Sequence, residues 1–384
     1  MTSNDSHIKK NHLTISLIIL FLLFWGLEIS DKLTYYFFPE FSFSQFIKAV
    51  VLIGFLIFQI AIKDYKFILI ALVTFIFFSI GQLFLETSFT RNSLLTFFKF
   101  LFPILLFSFV NKRIKINKLS PEFYKTFEWV MVVNSILIFI GALLSIKLFN
   151  TYQGNRFGYN GMFAAVSNGS YGYIITLFYF LLRYKERVIK NWKFIFIFIS
   201  CIFIGTKAVY LSMLFTLGYL AYVSKIPFKR TLLVVAILIG LLLAYYFFFQ
   251  YGIFNSIRQS DGLLSALLSF RDQLLLEKTL PFIQESWGWV NYLFGGVSDF
   301  DLRSQMDIID VFFFWGILGG AFYLFIFLKL FLPFKMNTTG WLFISFLAFI
   351  VLLAGNFFVY SFVALFMVTL KLKLEESMRT PLKQ

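Results

Sequence analysis

Eight of the chain's 19 acidic residues fall between Tyr251 and Asp310: Asp261, Asp272, Glu277, Glu285, Asp299, Asp301, Asp307 and Asp310. Four cations, Arg258, Arg271, Lys278 and Arg303, share that interval. Carboxylates can take a proton from a hydroxyl or ligate a metal, and guanidinium forks grip anionic oxygens. Asp307 and Asp310 are three residues apart, which puts them on one face of a helix entering the next apolar run. Two readings of that pair stand side by side. Either they contact a substrate, or they only start the helix, where free N–H groups and the dipole favour an acid. Asp299 and Asp301 read as turn acids or as part of a divalent-metal site. No third well-spaced ligand accompanies them, so a metal-independent site without cofactors is expected.

The rest of the chain has to hold this polar interval, and it reads as lipid-facing. Of the 384 residues 60% are hydrophobic and only 14% charged, with a mean hydropathy of +0.83. A soluble domain is about half apolar and a quarter charged. An all-α polytopic integral membrane protein is therefore expected, with residues 1–384 forming a single transmembrane domain. The net charge of +15 sits between apolar runs, where it sets topology, so nucleic acid is not an expected partner. The 58 phenylalanines suit helix packing in lipid and point to no chemistry. Cys201 is the only cysteine, which excludes an internal disulfide and a cysteine metal cluster. Both histidines, His7 and His12, precede the first apolar run. That run follows no small-residue cleavage site, so an uncleaved first helix is expected.

About 20 apolar residues cross a bilayer. By that ruler, spans are expected near 13–29, 45–62, 67–85, 93–110, 128–149, 168–182, 192–205, 208–224, 231–250, 308–330, 340–355 and 357–371. The runs 192–224 and 340–371 are each too long for one helix. They are split at Gly205-Thr206-Lys207 and at Gly355-Asn356, giving about 12 transmembrane helices. With the N-terminus inside, the inner segments then hold 23 of the 34 Lys and Arg, including Lys63, Lys66, Lys112, Lys115, Lys118, Arg183, Lys190, Lys225, Lys335 and Lys383. Inner loops are short and basic, outer ones longer and acid-rich, which places both termini in the cytoplasm. Residues 251–306 form one long outer loop. Within it, 262–280 reads as an amphipathic helix ended by Pro281, with Leu263, Leu267, Phe270 and Leu274 on one face. Trp287, Trp289 and Tyr292 suit the headgroup layer, and Gly295-Gly296 suits a turn. A second outer loop, 150–167, carries Arg156 among glycines and tyrosines.

Several short motifs stand in one order along 150–330. They are RFGYNGMFAAVSNGS at 156–170, GTKAVYLSML at 205–214, SFRDQLLLE at 269–277, NYLFGGVSDF at 291–300 and QMDIIDVFFFWGILGG at 305–320. This series resembles the Wzy-type polysaccharide polymerases and related O-antigen ligases, polytopic glycosyltransferases of the bacterial cytoplasmic (inner) membrane. In that family an Arg-x-x-Gly loop, a TGSR-type break, an Arg-bearing loop helix, a Leu-Phe-Gly-x-Gly turn and Glu-x-Asp-x-x-Asp follow in this order. Here Lys207 stands where Arg is usual and Gln305 where Glu is usual. The ligase branch's histidine is missing, which favours a polymerase.

The resemblance implies a polyprenyl-pyrophosphate-linked oligosaccharide (an undecaprenyl pyrophosphate donor) used on the outer face during capsule, exopolysaccharide or O-antigen biosynthesis. The growing glycan would pass to a sugar hydroxyl of another repeat unit, alongside a flippase and a chain-length regulator. Such a transfer needs positive charge for the leaving pyrophosphate and a carboxylate near the attacking hydroxyl. Arg156, Lys207 and Arg271 are the cation candidates, with Arg258 and Arg303 behind them; Asp307 and Asp310 are the acid candidates. Each cation has a plainer reading. Arg156 is a solvated loop cation, Arg271 pairs with Asp272 or lies on an exposed face, and Lys207 snorkels to the outer interface, since a charge at membrane depth costs about 2.5–3.5 kcal/mol. A ligase using another acceptor and a lipid-linked-oligosaccharide flippase are the alternative functions.

Overall fold

The computed structural model describes residues 3–37, 43–85, 90–114, 121–152, 156–223, 229–250 and 252–379. Lys115, Lys118, Lys225 and Lys383 of the charge pattern lie outside the described residues. Every regular element is helical among the described residues, apart from one isolated bridge, Asn150 to Tyr159. Each of the twelve expected apolar runs holds a helix. Six of these are long and apolar enough to cross a membrane. They are α1 (Ser3–Phe37, apolar from Thr14), α2 (Phe43–Ala61), α3 (Tyr65–Leu83), α4 (Arg91–Ile114), α5 (Pro121–Leu144) and α14 (Asp307–Phe331). The chain is thus an all-α membrane protein.

It divides into two compact units. The first comprises α1, the start of α2, α5, α6 (Val166–Tyr184), α7 (Trp192–Ser200), α8 (Lys207–Val223), most of α9 (Lys229–Tyr245) and most of α16 (Ser361–Arg379). Its centre is α6, in which every residue from Asn168 to Leu182 is buried. A helix with no polar face has to sit inside, and α6 packs on α7 and α8. Buried hydroxyls and amides tie it to its neighbours. The Tyr173 hydroxyl meets Asn134 Nδ2 at 3.1 Å and Ser135 Oγ at 3.0 Å. Further along, Glu128 of α5 accepts from the Tyr179 and Tyr184 hydroxyls, both at 2.9 Å, and from Lys193 at 3.0 Å. The expected span 128–149 is displaced: α5 opens at Pro121, a residue suited to a first helical turn, and a 3₁₀ turn over Lys147–Phe149 follows it.

The second unit comprises the rest of α2, α3, most of α4, the interval 252–306, α14 and α15 (Thr338–Leu353). Aromatic rings fill it: Phe314 stacks on Phe100 at 4.9 Å and on Phe78 at 5.7 Å, and Trp315 on Tyr323 at 5.7 Å. Polar interval 252–306 folds into α10 (Ile253–Leu268), α11 (Arg271–Leu274), α12 (Leu280–Ser286) and α13 (Trp289–Phe294).

The single amphipathic helix expected over 262–280 is not formed. Gly262 is at φ 91°, and Ser269 and Phe270 are left-handed at φ 57° and 65°, so the chain bends twice before restarting at Arg271. Nor does Pro281 end a helix. It sits in the first turn of α12, where its missing N–H costs nothing. The apolar face does exist in part, because Leu263, Leu267 and Phe270 are exposed. Trp287 is buried, its Nε1 donating to Gly296 O at 2.9 Å, while Trp289 and Tyr292 are exposed.

Candidate functional site

Glycine backbone placed against backbone aims the segment that leads into Asp307. Gly295 (φ 72°) and Gly316 (φ 69°) lie against each other, and a side chain on either would strike main-chain atoms of the other's turn. Gly316 interrupts α14 there. Asn291 Nδ2 fastens the same turn to α3, donating to Gly81 O and Gly295 O, both at 2.8 Å. Two of the motifs behind the resemblance, LFGG and WGILGG, therefore meet in one backbone crossing of the second unit.

Beyond it, segments 300–310 and 353–357 come together. Asp307 accepts from the Phe357 N–H with both carboxylate oxygens, at 2.9 and 3.1 Å. Asp310 Oδ1 accepts from Ser304 Oγ at 2.9 Å, and its Oδ2 lies 3.9 Å from Arg303 Nε. Arg303 also donates to Asn356 Oδ1 at 2.9 Å, Phe300 O at 2.9 Å and Asp301 at 3.1 Å. Arg271 Nη1 donates to Leu353 O and Leu268 O, both at 3.2 Å. Two arginines and Asp307 thus converge on the break between α15 and α16, which the sequence offers only as a place to divide two spans.

Electrostatics sharpen the picture. Asp307 and Asp310 are 3% and 2% exposed, so neither is a solvated acid at the mouth of a span. The N-cap of α14 is Met306, which makes no side-chain cap, and the Asp307 carboxylate reaches out of its own helix to Phe357. Helix starting alone does not account for that bond. The Nε atoms of Arg271 and Arg303 are buried with no hydrogen-bond acceptor among the described residues. A buried guanidinium N–H without an acceptor is costly, and it is a donor available to an anionic oxygen. Arg271 does not pair with Asp272, whose Oδ2 instead accepts from Ser265 Oγ at 2.5 Å. Asp299 caps a 3₁₀ turn by accepting from Asp301 N at 3.0 Å, as a turn acid would. Ser260, and after it Gln273, hold the Asp261 carboxyl below the usual carboxylate range out in the loop.

Arg156 and Lys207 belong to the first unit, and there their two segments interlock. Thr151 and Gly158 pair through Thr151 N to Gly158 O at 2.8 Å. Tyr159 N donates to Phe203 O at 2.7 Å, and Thr151 Oγ1 to Ile204 O at 2.8 Å, docking the loop on the break before α8. Gly158 faces Ile204 O, Gly161 the Asn134 amide and Gly205 Phe157 O, so their missing side chains are used by the protein's own packing. Arg156 lies 3.6 Å over the Tyr152 ring. Lys207 is the first residue of α8, half-buried, where the helix dipole disfavours a cation.

Arg303, Asn356 and Phe357 are the residues that sequence reasoning undervalued. Their signal was an arginine four residues before the acid pair and an Asn placed after the Gly of an apolar break. Comparison with family models, curated proteins and solved structures returned no match for this chain.

Proposed function

We propose that the protein polymerises polyprenyl-pyrophosphate-linked oligosaccharide repeat units into a surface polysaccharide on the outer face of the cytoplasmic membrane. The observation that carries this reading is the pair of buried Nε–H groups on Arg271 and Arg303, neither with a hydrogen-bond acceptor among the described residues; that of Arg303 has Asp310 Oδ2 at 3.9 Å, and Arg271 reaches the same inter-helix break through Leu353 O. Asp307 and Asp310 are buried at the start of an apolar span, where ionisable groups are costly and mark sites of function by default. A diphosphate offers the oxygens those donors lack.

In the reaction, the acceptor sugar's hydroxyl oxygen bonds to the anomeric carbon of the donor glycan. The bond from that carbon to the pyrophosphate oxygen breaks, and polyprenyl pyrophosphate leaves with the electron pair. Arg271 and Arg303 bind the charge that develops on the phosphate oxygens. The hydroxyl proton passes to a carboxylate. We assign the proton to Asp310, whose Oδ1 meets a hydroxyl, Ser304 Oγ, at 2.9 Å and whose Oδ2 faces Arg303 Nε at 3.9 Å, whereas Asp307 spends both oxygens on the Phe357 N–H. Asp307 then holds the 355–357 segment in place. In the first unit, Arg156 and Lys207 remain candidates for binding the lipid-linked pyrophosphate.

The charge ledger supports twelve spans, both termini inside and the loops 150–167 and 251–306 outside. The test is the glycan made in cells lacking the native protein and carrying Arg271→Ala or Arg303→Ala. Polymer should fall about 10²–10³-fold at unchanged membrane abundance, as when a donor to a developing anion is removed. Arg→Lys should restore only part, since a point charge lacks the fork. Normal chain-length ladders from both Ala variants overturn the assignment. Product separates the alternatives: a ligase joins finished glycan to another acceptor, and a flippase moves repeat units without lengthening them.

A further inference from the structure

Three polar residues of α1 lie at i, i+4 and i+8 on one helix face: Glu28, Lys32 and Tyr36. Glu28 and Lys32 are 3% and 4% exposed inside an apolar span. Buried charges in a span require partners, and these two find theirs in the loop after α5. Lys32 Nζ donates to Asn160 Oδ1 at 2.5 Å, Gly161 O at 2.7 Å and Asn150 O at 3.2 Å. That matches the three N–H bonds of an ammonium to three oxygens, a geometry the planar guanidinium of Arg would not reproduce. One turn before it, Glu28 Oε2 accepts from Ala164 N at 3.2 Å. One turn after it, the Tyr36 hydroxyl donates to Lys147 O at 2.8 Å. The bonded positions 147, 150, 160, 161 and 164 bracket the segment that carries Arg156. Asn134 of α5 adds bonds to Asn160 O at 3.1 Å and from Met162 N at 2.8 Å. The loop is thereby held from two helices.

We infer that Glu28, Lys32 and Tyr36 form a clamp on the first helix whose work is to position the Arg156 loop. They are positioning residues acting through Arg156, and the consequence for activity rests on the proposed polymerase reading. The clamp itself does not, so the two can fail separately.

Cys201 is the only native cysteine and is buried, so Cys201→Ser gives a clean background for two reporters. Thr151→Cys reports on the loop, since Thr151 is buried where the loop docks, and Thr216→Cys reports on the buried interior of α8. Modification by a membrane-impermeant maleimide is followed with time. Lys32→Met should speed labelling at position 151 about tenfold by removing three hydrogen bonds, and leave position 216 unchanged. Tyr36→Phe, which loses one bond on a half-exposed ring, should speed it roughly threefold and serves if Lys32→Met fails to accumulate. Unchanged labelling at 151 in Tyr36→Phe and in any Lys32→Met that accumulates overturns the clamp. Equal acceleration at 151 and 216 also overturns it, because the residues would then only stabilise the unit as a whole. In the polymer assay, Lys32→Met should reduce product but add nothing to Arg156→Ala in the double variant. Full ladders from Arg156→Ala would remove the catalytic role of that loop while the labelling result still decides the clamp.

Discussion

Asp307 and Asp310 do different things, and one substitution separates them. Asp310 meets a hydroxyl and a guanidinium, whereas Asp307 binds one backbone N–H with both oxygens. Asn keeps the shape of either residue and one acceptor oxygen, but it cannot take a proton. Asp310→Asn should therefore leave single repeat units at normal membrane abundance. Asp307→Asn keeps an oxygen for Phe357 N and should retain part of its elongation. The measurement is the ladder from each variant beside an immunoblot, and full ladders from Asp310→Asn would end its assignment as proton acceptor. The acid pair was legible from its spacing and from its place ahead of an apolar run. Its partners were not. Phe357, which Asp307 binds, is 50 residues away along the chain, Asn356 is 53 from the Arg303 that binds it, and no local pattern ties a loop arginine to a break between two spans. Arg156 and Lys207 were visible as isolated cations, but the partners that hold their segments, Asn150, Phe203 and Glu28 among them, come from tertiary packing.

At the scale of elements, the helices follow from hydropathy almost directly, because lipid leaves the backbone no other way to satisfy its hydrogen bonds. Both proposed breaks are real: Gly205 has φ 75° and Asn356 φ 74°. The long polar interval was harder. Periodicity alone gave one helix over 262–280, yet two left-handed residues, Ser269 and Phe270, cut it, and nothing in their side chains announces that conformation. Proline placement was ambiguous in the same way, since Pro suits a first turn as well as a stop. It follows that Pro281→Ala should change stability by no more than about 0.5 kcal/mol. Thermal denaturation in detergent checks this, and a large loss would mean that the ring shapes the 275–281 turn. Gly316→Ala is the opposite case. Its φ of 69° and the Gly295 backbone against it leave no room for a methyl group. A loss of at least about 2 kcal/mol is expected from the strained φ alone. A melting temperature equal to that of the unsubstituted protein would contradict the backbone crossing that aims the acid pair.

For the whole molecule, the topology is a proposal that rests on the charge pattern. Reporter fusions at Lys190 and Lys335 should signal the cytoplasm, and fusions near Gly161 and Asp299 the outer side. A cytoplasmic signal at Asp299 would remove the proposed reaction, because its lipid-linked substrate is used outside. The membrane class was legible from composition, since a mean hydropathy of +0.83 leaves little room for a soluble core. Division into two compact units was not, because apolar runs look alike whichever unit they join. The claim beneath all of this is that the chain lengthens a lipid-linked glycan, and one comparison tests it most directly. Polyprenyl-linked glycans are extracted from cells with the gene and from cells without it, and sized on a gel. The account predicts a ladder of repeat units with the protein and accumulated single units without it; ladders of equal length in both would contradict it.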